Sequence, residues 1–436
     1  WAYATRAVAD KPLIHALAAQ AIAMMPDFNP QALANTAWAV ATMLCAHEPL
    51  MAAMSASAMA LLREFETQGV ANLAWSWAAL AWQDEPLLDS LAAAAMPSLP
   101  EFALQHLANT SWAFAVCEVV HRPLLHALSS ESLARIGELE WVPMARTEVL
   151  RNFAQFILAV AWSFSFLHLL DDGPFRQFHR ALRRLGAEMD FRERPPEGPG
   201  PSVRGQGDVG WIQTRSGIRP SLTFDLRGMV AVHKPADWEV DGLAVGEGGH
   251  PPLSAYVQSV FPKASFPIVW NAEQSYGFLH RLDVPSSGLV LCGTTYEGYY
   301  SLRLQLDTKR LRREYFVMCH GLARPSLLEV AARVDVAPDP SQRRSVHDGG
   351  RPSQTQVRVE AHVSEDEEGE GCGMCVAVIR IFTGRRHQIR VHMRHAGHPS
   401  VADARYTCRE VASEEGPALP EAHTKRAAAG RPSLCR

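Results

Sequence analysis

The chain has 436 residues, room for two or three domains at roughly 100–200 residues each. A hydrophobic share of 47% with 20% charged residues excludes wholesale disorder, and eight scattered cysteines argue against a disulfide scaffold and for a reducing compartment. The net charge of −4 excludes a uniformly basic nucleic-acid binder, although it is unevenly spread: residues 1–130 hold 4 Lys/Arg against 10 Asp/Glu.

The first element is a repeat. Trp1, Trp38, Trp75 and Trp112 are spaced by 37, and so are Pro12, Pro49, Pro86 and Pro123, Asn35, Asn72 and Asn109, and Phe28, Phe65 and Phe102. Stretches such as Gln31–Leu44 are Ala/Leu-rich without internal Gly or Pro, which predicts a helix. The recurrent Pro marks the first turn of a second helix, where its missing N–H costs nothing, and Asp84–Glu85 suit the positive end of that helix. One hairpin cannot bury both of its faces, so the units should stack as an α-solenoid. A degenerate unit follows around Trp162 and Pro174, with a spacing of 50 and Ala159 in place of the Asn. The longest apolar run, Ile157–Leu170, is broken by Ser163, Ser165 and His168 and reads as a buried helix, short of the roughly 18 residues a bilayer span needs. The A-N-x-[AS]-W segment resembles the octotricopeptide-type repeats and, more loosely, the helical repeats of FAST-kinase-like organelle proteins. That resemblance implies RNA binding in a mitochondrion or plastid; the residues alone also allow Trp as interlocking core and Asn as a backbone tie. A start at Trp1 rather than Met reads as a fragment, with any targeting peptide lost.

Four regions are expected: a helical array over 1–182, a flexible Pro/Gly-rich linker over 183–226, an α+β domain over 227–410 and a tail over 411–436. Strand-like runs rich in Val, Ile and Tyr are Met229–His233, Gly288–Leu291, Tyr315–Cys319, Gln356–Val363 and Cys375–Phe382. Helices are expected from Thr294–Thr295 to about Leu311 and over Arg386–His395, the latter ending at Gly397. Ser364–Gly373 reads as an acidic loop within a hairpin. The whole is a multidomain chain, a solenoid followed by a mostly antiparallel mixed sheet.

The chemistry concentrates in three motifs. Phe278–Gly288 reads FLHRLDVPSSG, Arg313-Glu314-Tyr315 opens a strand, and Thr383–His392 reads TGRRHQIRVH. On a helix His387, Arg390 and Arg394 would share one polar face. An acid in a tight loop, a Tyr and an Arg-bearing helix suit a site in which the Arg keeps a carboxylate ionised and oriented, as a nucleophile or base requires.

Together with the opening VHKPADWEV (Val232–Val240) and the closing run to Tyr406, these motifs resemble the RluA-type pseudouridine synthases over about Gly228–Tyr406. The resemblance implies isomerisation of uridine in RNA with no cofactor and no metal. It implies Asp283 as the essential aspartate, Tyr315 as the aromatic that stacks on the flipped base, and Arg390 as the partner of Asp283, with Arg385 second. His280, Arg281, Leu282, Arg313, Arg385, His387 and Gln388 are implied at the substrate. The base must leave its stack at a cost of a few kcal/mol, and an aromatic face returns about 1–3 kcal/mol of it. Lys309, Arg310, Arg312 and Arg313 can hold phosphates. Two departures stand out: Val284, Pro285 and Ser286 replace the usual residues after the aspartate, and Ala402 stands where a Gly is usual.

Other signals point elsewhere only weakly. Cys372-Gly-Met-Cys375 lacks the second ligand pair of a zinc site, and His392, His395 and His398 suit packing and RNA contact better than a metal. Glu239 and Asp241 read as solvated, and no G-x-x-x-x-G-K-[ST] loop exists for nucleotide hydrolysis. The enzyme reading competes with a non-catalytic RNA-binding factor for organelle transcripts and with a protein-interaction scaffold.

Overall fold

The 37-residue period folds as helical hairpins. In the computed structural model the described residues are 2–5, 11–137, 146–193, 218–240, 250–335, 343–347, 350–363 and 373–407. They form two compact units, residues 1–310 and 311–436. In the first, α1 (Ala2–Thr5), α2 (Lys11–Ala23), α3 (Pro30–Thr42), α4 (Glu48–Leu61) and α5 (Thr67–Ala79) are followed by α6 (Glu85–Ala95), α7 (Leu104–Val116) and α8 (Arg122–Gly137). The degenerate unit supplies α9 (Thr147–Phe166) and α10 (Asp172–Glu193). Helices α3, α5, α7 and α9 pack side by side in one layer, and α4, α6, α8 and α10 in another.

Local chemistry sets each hairpin. Leu44, Ala81, Glu118 and His168 all take φ between +51° and +58°, so each first helix ends on a left-handed residue. The next N–H then returns to the carbonyl five residues earlier, as in Cys45 to Val40 (3.2 Å), Trp82 to Trp77 (2.9 Å) and Val119 to Phe114 (3.0 Å). The second helix is capped by a series of which only Asp84 was anticipated. His47, Asp84 and His121, again 37 apart, accept from the N–H three residues on at 3.3, 3.1 and 3.2 Å. Leu33, Ala37, Leu73, Trp77, Leu107 and Phe114 are the core. Trp38, Trp75 and Trp112 are half-buried. With 20 residues, α9 is long and apolar enough to cross a membrane by length and composition; here it packs against α7 and α10.

The expected linker is corrected at both ends. The 182/183 boundary falls inside α10, whose buried Leu182, Leu185 and Met189 continue the apolar stripe to Glu193, and Ser221–Leu226 is strand β1. The 194–217 part of the linker, most of the acidic loop with Cys372, Asp241 and the 411–436 tail lie outside the described residues. In the first unit β1, β2 (Met229–Lys234) and β3 (Gly288–Gly293) form an antiparallel sheet in the order β1-β2-β3. Helix α11 (Leu253–Val260) was not anticipated, and α12 (Tyr296–Asp307) packs on β3. It stops short of Leu311 because Lys309 turns to φ +58°.

The second unit holds β4 (Glu314–His320), β5 (Glu329–Ala331), β6 (Gln354–Val363) and β7 (Met374–Ile381), antiparallel in the order β4-β7-β6-β5. Its core joins Cys319, Val357, Ala377 and Ile379 of the sheet to Met393 of α13 (Gln388–His395) and to Ala396 just beyond it. Short β5 was missed. The helix expected over Arg386–His395 begins two residues later, because His387 adopts φ +58° and breaks the turn before it.

Candidate active site

Asp283 sits, half-buried, in the loop that leads into β3. Its carbonyl accepts from the Ser286 N–H at 3.0 Å, so the turn closes with Val284 and Pro285 at its tip. Upstream, Leu279 N–H bonds to Leu291 O at 3.0 Å, and the Leu291 N–H donates to His280 Nε2 at 3.3 Å. His280 therefore ties the motif to β3, and the loop between it and the strand is held at both ends.

The residue that sequence reasoning missed here is Lys234, at the end of β2. It is fully buried, and its Nζ donates to the carbonyls of Trp238 (2.8 Å), Pro235 (3.0 Å) and Val284 (3.2 Å). The Asp237 N–H donates to the same Val284 carbonyl at 2.8 Å. Burial pulls the Lys234 ammonium down to about 8, against the upward pull of Asp283 and Asp237. A cation thus pins the carbonyl next to Asp283 and acts electrostatically on the carboxylate. The Lys stood in VHKPADWEV, but nothing in its spacing from Asp283 marks the contact.

In the second unit Tyr315 lies on the face of β4 that carries Val317 and Cys319, toward α13, and packs against that core. Arg313, just before β4, lies along the Thr383–Arg386 turn, where a Cβ on Gly384 would come within 3.2 Å of its Nη1. That turn is set by Gln388. Its Oε1 accepts from Thr383 Oγ1 (2.7 Å) and the Arg385 N–H (3.1 Å), and its Nε2 donates to Gln354 O and Thr355 Oγ1 (both 3.0 Å). Gln388 is 2% exposed with its amide fully engaged, so its expected place at the substrate is corrected to one in the framework.

Helix α13 carries Arg390. Its Nε and Nη2 donate to the two oxygens of Asp403, each at 2.6 Å, a bidentate fork, and its guanidinium lies 4.7 Å over the Tyr406 ring. Burial alone would raise the Asp403 carboxyl; its bonds to Arg390 and to the Arg405 and Tyr406 amides hold it below the usual range. His387 Nδ1 meets the Tyr406 hydroxyl at 2.9 Å, which fixes its ring outside the helix rather than on a shared face with Arg390 and Arg394. Ala402 takes φ +59°, the conformation for which a Gly is suited. Arg385 reaches the Pro352 carbonyl from Nε and Nη2, both at 3.4 Å; burial and the neighbouring Arg351 lower its pKa. Two adjacent guanidiniums of this kind favour an anion. His392, fully buried, donates from Nε2 to Ala332 O at 3.1 Å, and burial pushes it down to about 4. It is a neutral core residue.

Residues 228–395 match the RNA pseudouridylate synthase family. The match lies within the C-terminal half of the chain. The chain is similar to an uncharacterized RNA pseudouridine synthase of Synechocystis sp. (28% identity over 191 residues, 43% of this chain and 54% of the relative). It is also similar to ribosomal large subunit pseudouridine synthase D of Xylella fastidiosa (28% over 209 residues, 46% and 58%). The chain thus spans little more than half the length of these relatives. Among solved structures it matches human RNA pseudouridylate synthase domain containing 1, with 21% identity and a TM-score of 0.34 over 44% of this chain and 71% of that one. Residues 2–160 match the RNA-editing substrate-binding complex 6 protein family.

Proposed function

We propose that the chain isomerises uridine to pseudouridine in RNA, with the repeat array aiding RNA selection. The observation that carries the reading is the family match over 228–395, which contains HRLD, the Tyr315 strand and the Thr383–His392 turn in order. In the reaction the N1–C1′ bond of uridine breaks, C5 bonds to C1′, the C5 proton leaves and N1 is protonated, so no atom is gained or lost. Asp283 is the nucleophile and Tyr315 the stacking aromatic near the proton to be removed. Arg390, held by Asp403 within its own unit, is assigned as the ion-pair partner of Asp283. Arg281, Arg313 and Arg385 meet phosphates or the gap left by the flipped base, with Leu282 and His387 at the edge of the site.

RNA contact by the array is supported by two features. Asn35, Asn72 and Asn109 each lie one turn before a half-buried Trp on neighbouring helices of one layer. The 2–160 match is to a family described as RNA-editing substrate-binding. The amide and indole pairs are suited to base edges and base faces. An organelle location is what the resemblance of the repeats to octotricopeptide-type repeats implies. The test is to incubate purified protein with protein-free cellular RNA and map pseudouridine at base resolution. New pseudouridines at defined positions support the enzyme; RNA retention without any isomerisation favours the non-catalytic binding factor.

A further inference from the structure

The last helix of the repeat array is built into the frame of the Asp283 loop. The Asp190 carboxylate, on α10, is 8% exposed and accepts from the first two N–H groups of α12, Tyr296 at 2.8 Å and Glu297 at 3.1 Å. It is therefore an N-terminal cap supplied from 106 residues away. The two helices touch backbone to backbone at Gly186, where a Cβ would lie 2.5 Å from Glu297 Cα. Arg183 pairs with Glu297 (Nε 2.8 Å, Nη2 2.5 Å), and His179 Nε2 meets Ser301 Oγ at 2.7 Å. At the far end Arg310 pairs with Asp172 and covers the Phe175 ring at 3.8 Å.

Both arms of the Asp283 loop end on this contact. Downstream, β3 leaves the loop and passes through Thr294 and Thr295 directly into the capped turn of α12. Upstream, Asn271 opens the segment that runs into Phe278 and His280. Its Nδ2 donates to the Tyr296 hydroxyl at 3.0 Å, and that hydroxyl donates to Glu193 of α10 at 2.7 Å. Fully buried Tyr296 thus joins the two arms to each other and to α10. The array is not simply tethered to the domain that holds Asp283.

We infer that α10 is a positioning element of the Asp283 site and that Asp190 is the residue through which the array fixes the geometry of that loop. The inference rests on the synthase reading for its catalytic readout. Asp190→Ala leaves two N–H groups of α12 without their cap and loosens the strand that leads back to Asp283. Small displacements of reacting groups are costly in rate, while substrate contacts elsewhere are untouched.

The test uses the full chain. Turnover on a uridine-containing RNA is measured well below each variant's melting temperature. Asp190→Ala should lower kcat by about 10- to 100-fold with KM within about twofold. Asp190→Asn, which keeps one acceptor oxygen toward Tyr296 N–H, should recover part of the loss, and Tyr296→Phe, which loses only the hydroxyl, should show a smaller fall. Hydrogen exchange supplies a readout independent of chemistry: the amides of residues 281–288 should exchange faster in Asp190→Ala. An unchanged kcat in folded Asp190→Ala, or a change confined to KM, would overturn the inference. If the wild-type chain isomerises nothing, the synthase reading fails, and the exchange rates alone decide the coupling: unchanged rates at 281–288 would sink it.

Discussion

The array and the C-terminal domain satisfy their buried polar groups in contrasting ways. Within the hairpins of the array the partners are local, Asp190 at its last helix excepted: Ser76 Oγ donates to Asn72 O and Ser163 Oγ to Ala159 O, each one helical turn back, and the caps reach three residues. In the C-terminal domain several of them are remote. Lys234 reaches Val284, Gln388 reaches Gln354 and Thr355, and His392 reaches Ala332 across 60 residues. Local satisfaction makes a surface that repeats and tolerates variation. Remote satisfaction fixes individual loops, which is what a reacting centre needs.

That contrast orders what substitutions should do. Apart from Asp283 itself, the largest effect belongs to Lys234, whose replacement by Met removes the cation that pins the Asp283 turn. Turnover should fall by about 100-fold. In the wild type, activity should decline as pH rises through about 8, where the ammonium loses its proton. Stability should not decline with it. The folded pKa lies below the ordinary 10.5, so between these values the unfolded chain binds the proton and this group favours the folded state as pH rises. A pH–rate profile flat to pH 10 would remove Lys234 from the account.

His392 carries the next effect, on stability alone. Its folded pKa of about 4 lies below the ordinary 6.5, so the unfolded chain takes up the proton first. Acidification from 6.5 to 4 should cost about 3 kcal/mol from this residue. Denaturant titrations of His392→Gln, whose amide can still donate to Ala332, should lack that share of the loss. In the array, Trp75→Leu should weaken RNA binding by about 1–3 kcal/mol if a base stacks there, with kcat unchanged. A lower melting temperature with unaltered RNA affinity would assign the Trp to packing. The smallest effect is at Ala402. Replacement by Gly relieves the φ +59° conformation and should raise stability by about 1 kcal/mol or less, measurable as a shifted denaturant midpoint.

How much could be read in the sequence follows the same division. The hairpins were legible because period, Pro placement and Ala/Leu content are local signals, and α10 escaped only where its apolar stripe ran into the linker. Strands β2, β3, β4, β6 and β7 were legible from Val/Ile content; polar-flanked β1 and three-residue β5 were not. Asp283 and Tyr315 stood in recognisable motifs. Lys234, Asp403 and Asp190 did not stand out, because each acts through a partner that only the fold brings near. Gln388 was placed at the substrate for the same reason, since its four partners sit on β6 and a turn.

The most direct measurement compares wild type with Asp283→Asn on an RNA shown to be modified. The substitution keeps nearly the same volume and leaves the Asp283 carbonyl bond to Ser286 intact. Wild-type protein should convert the target uridine to pseudouridine, while Asp283→Asn should bind the RNA within about twofold and form no product. Product at the wild-type rate from Asp283→Asn would contradict the account.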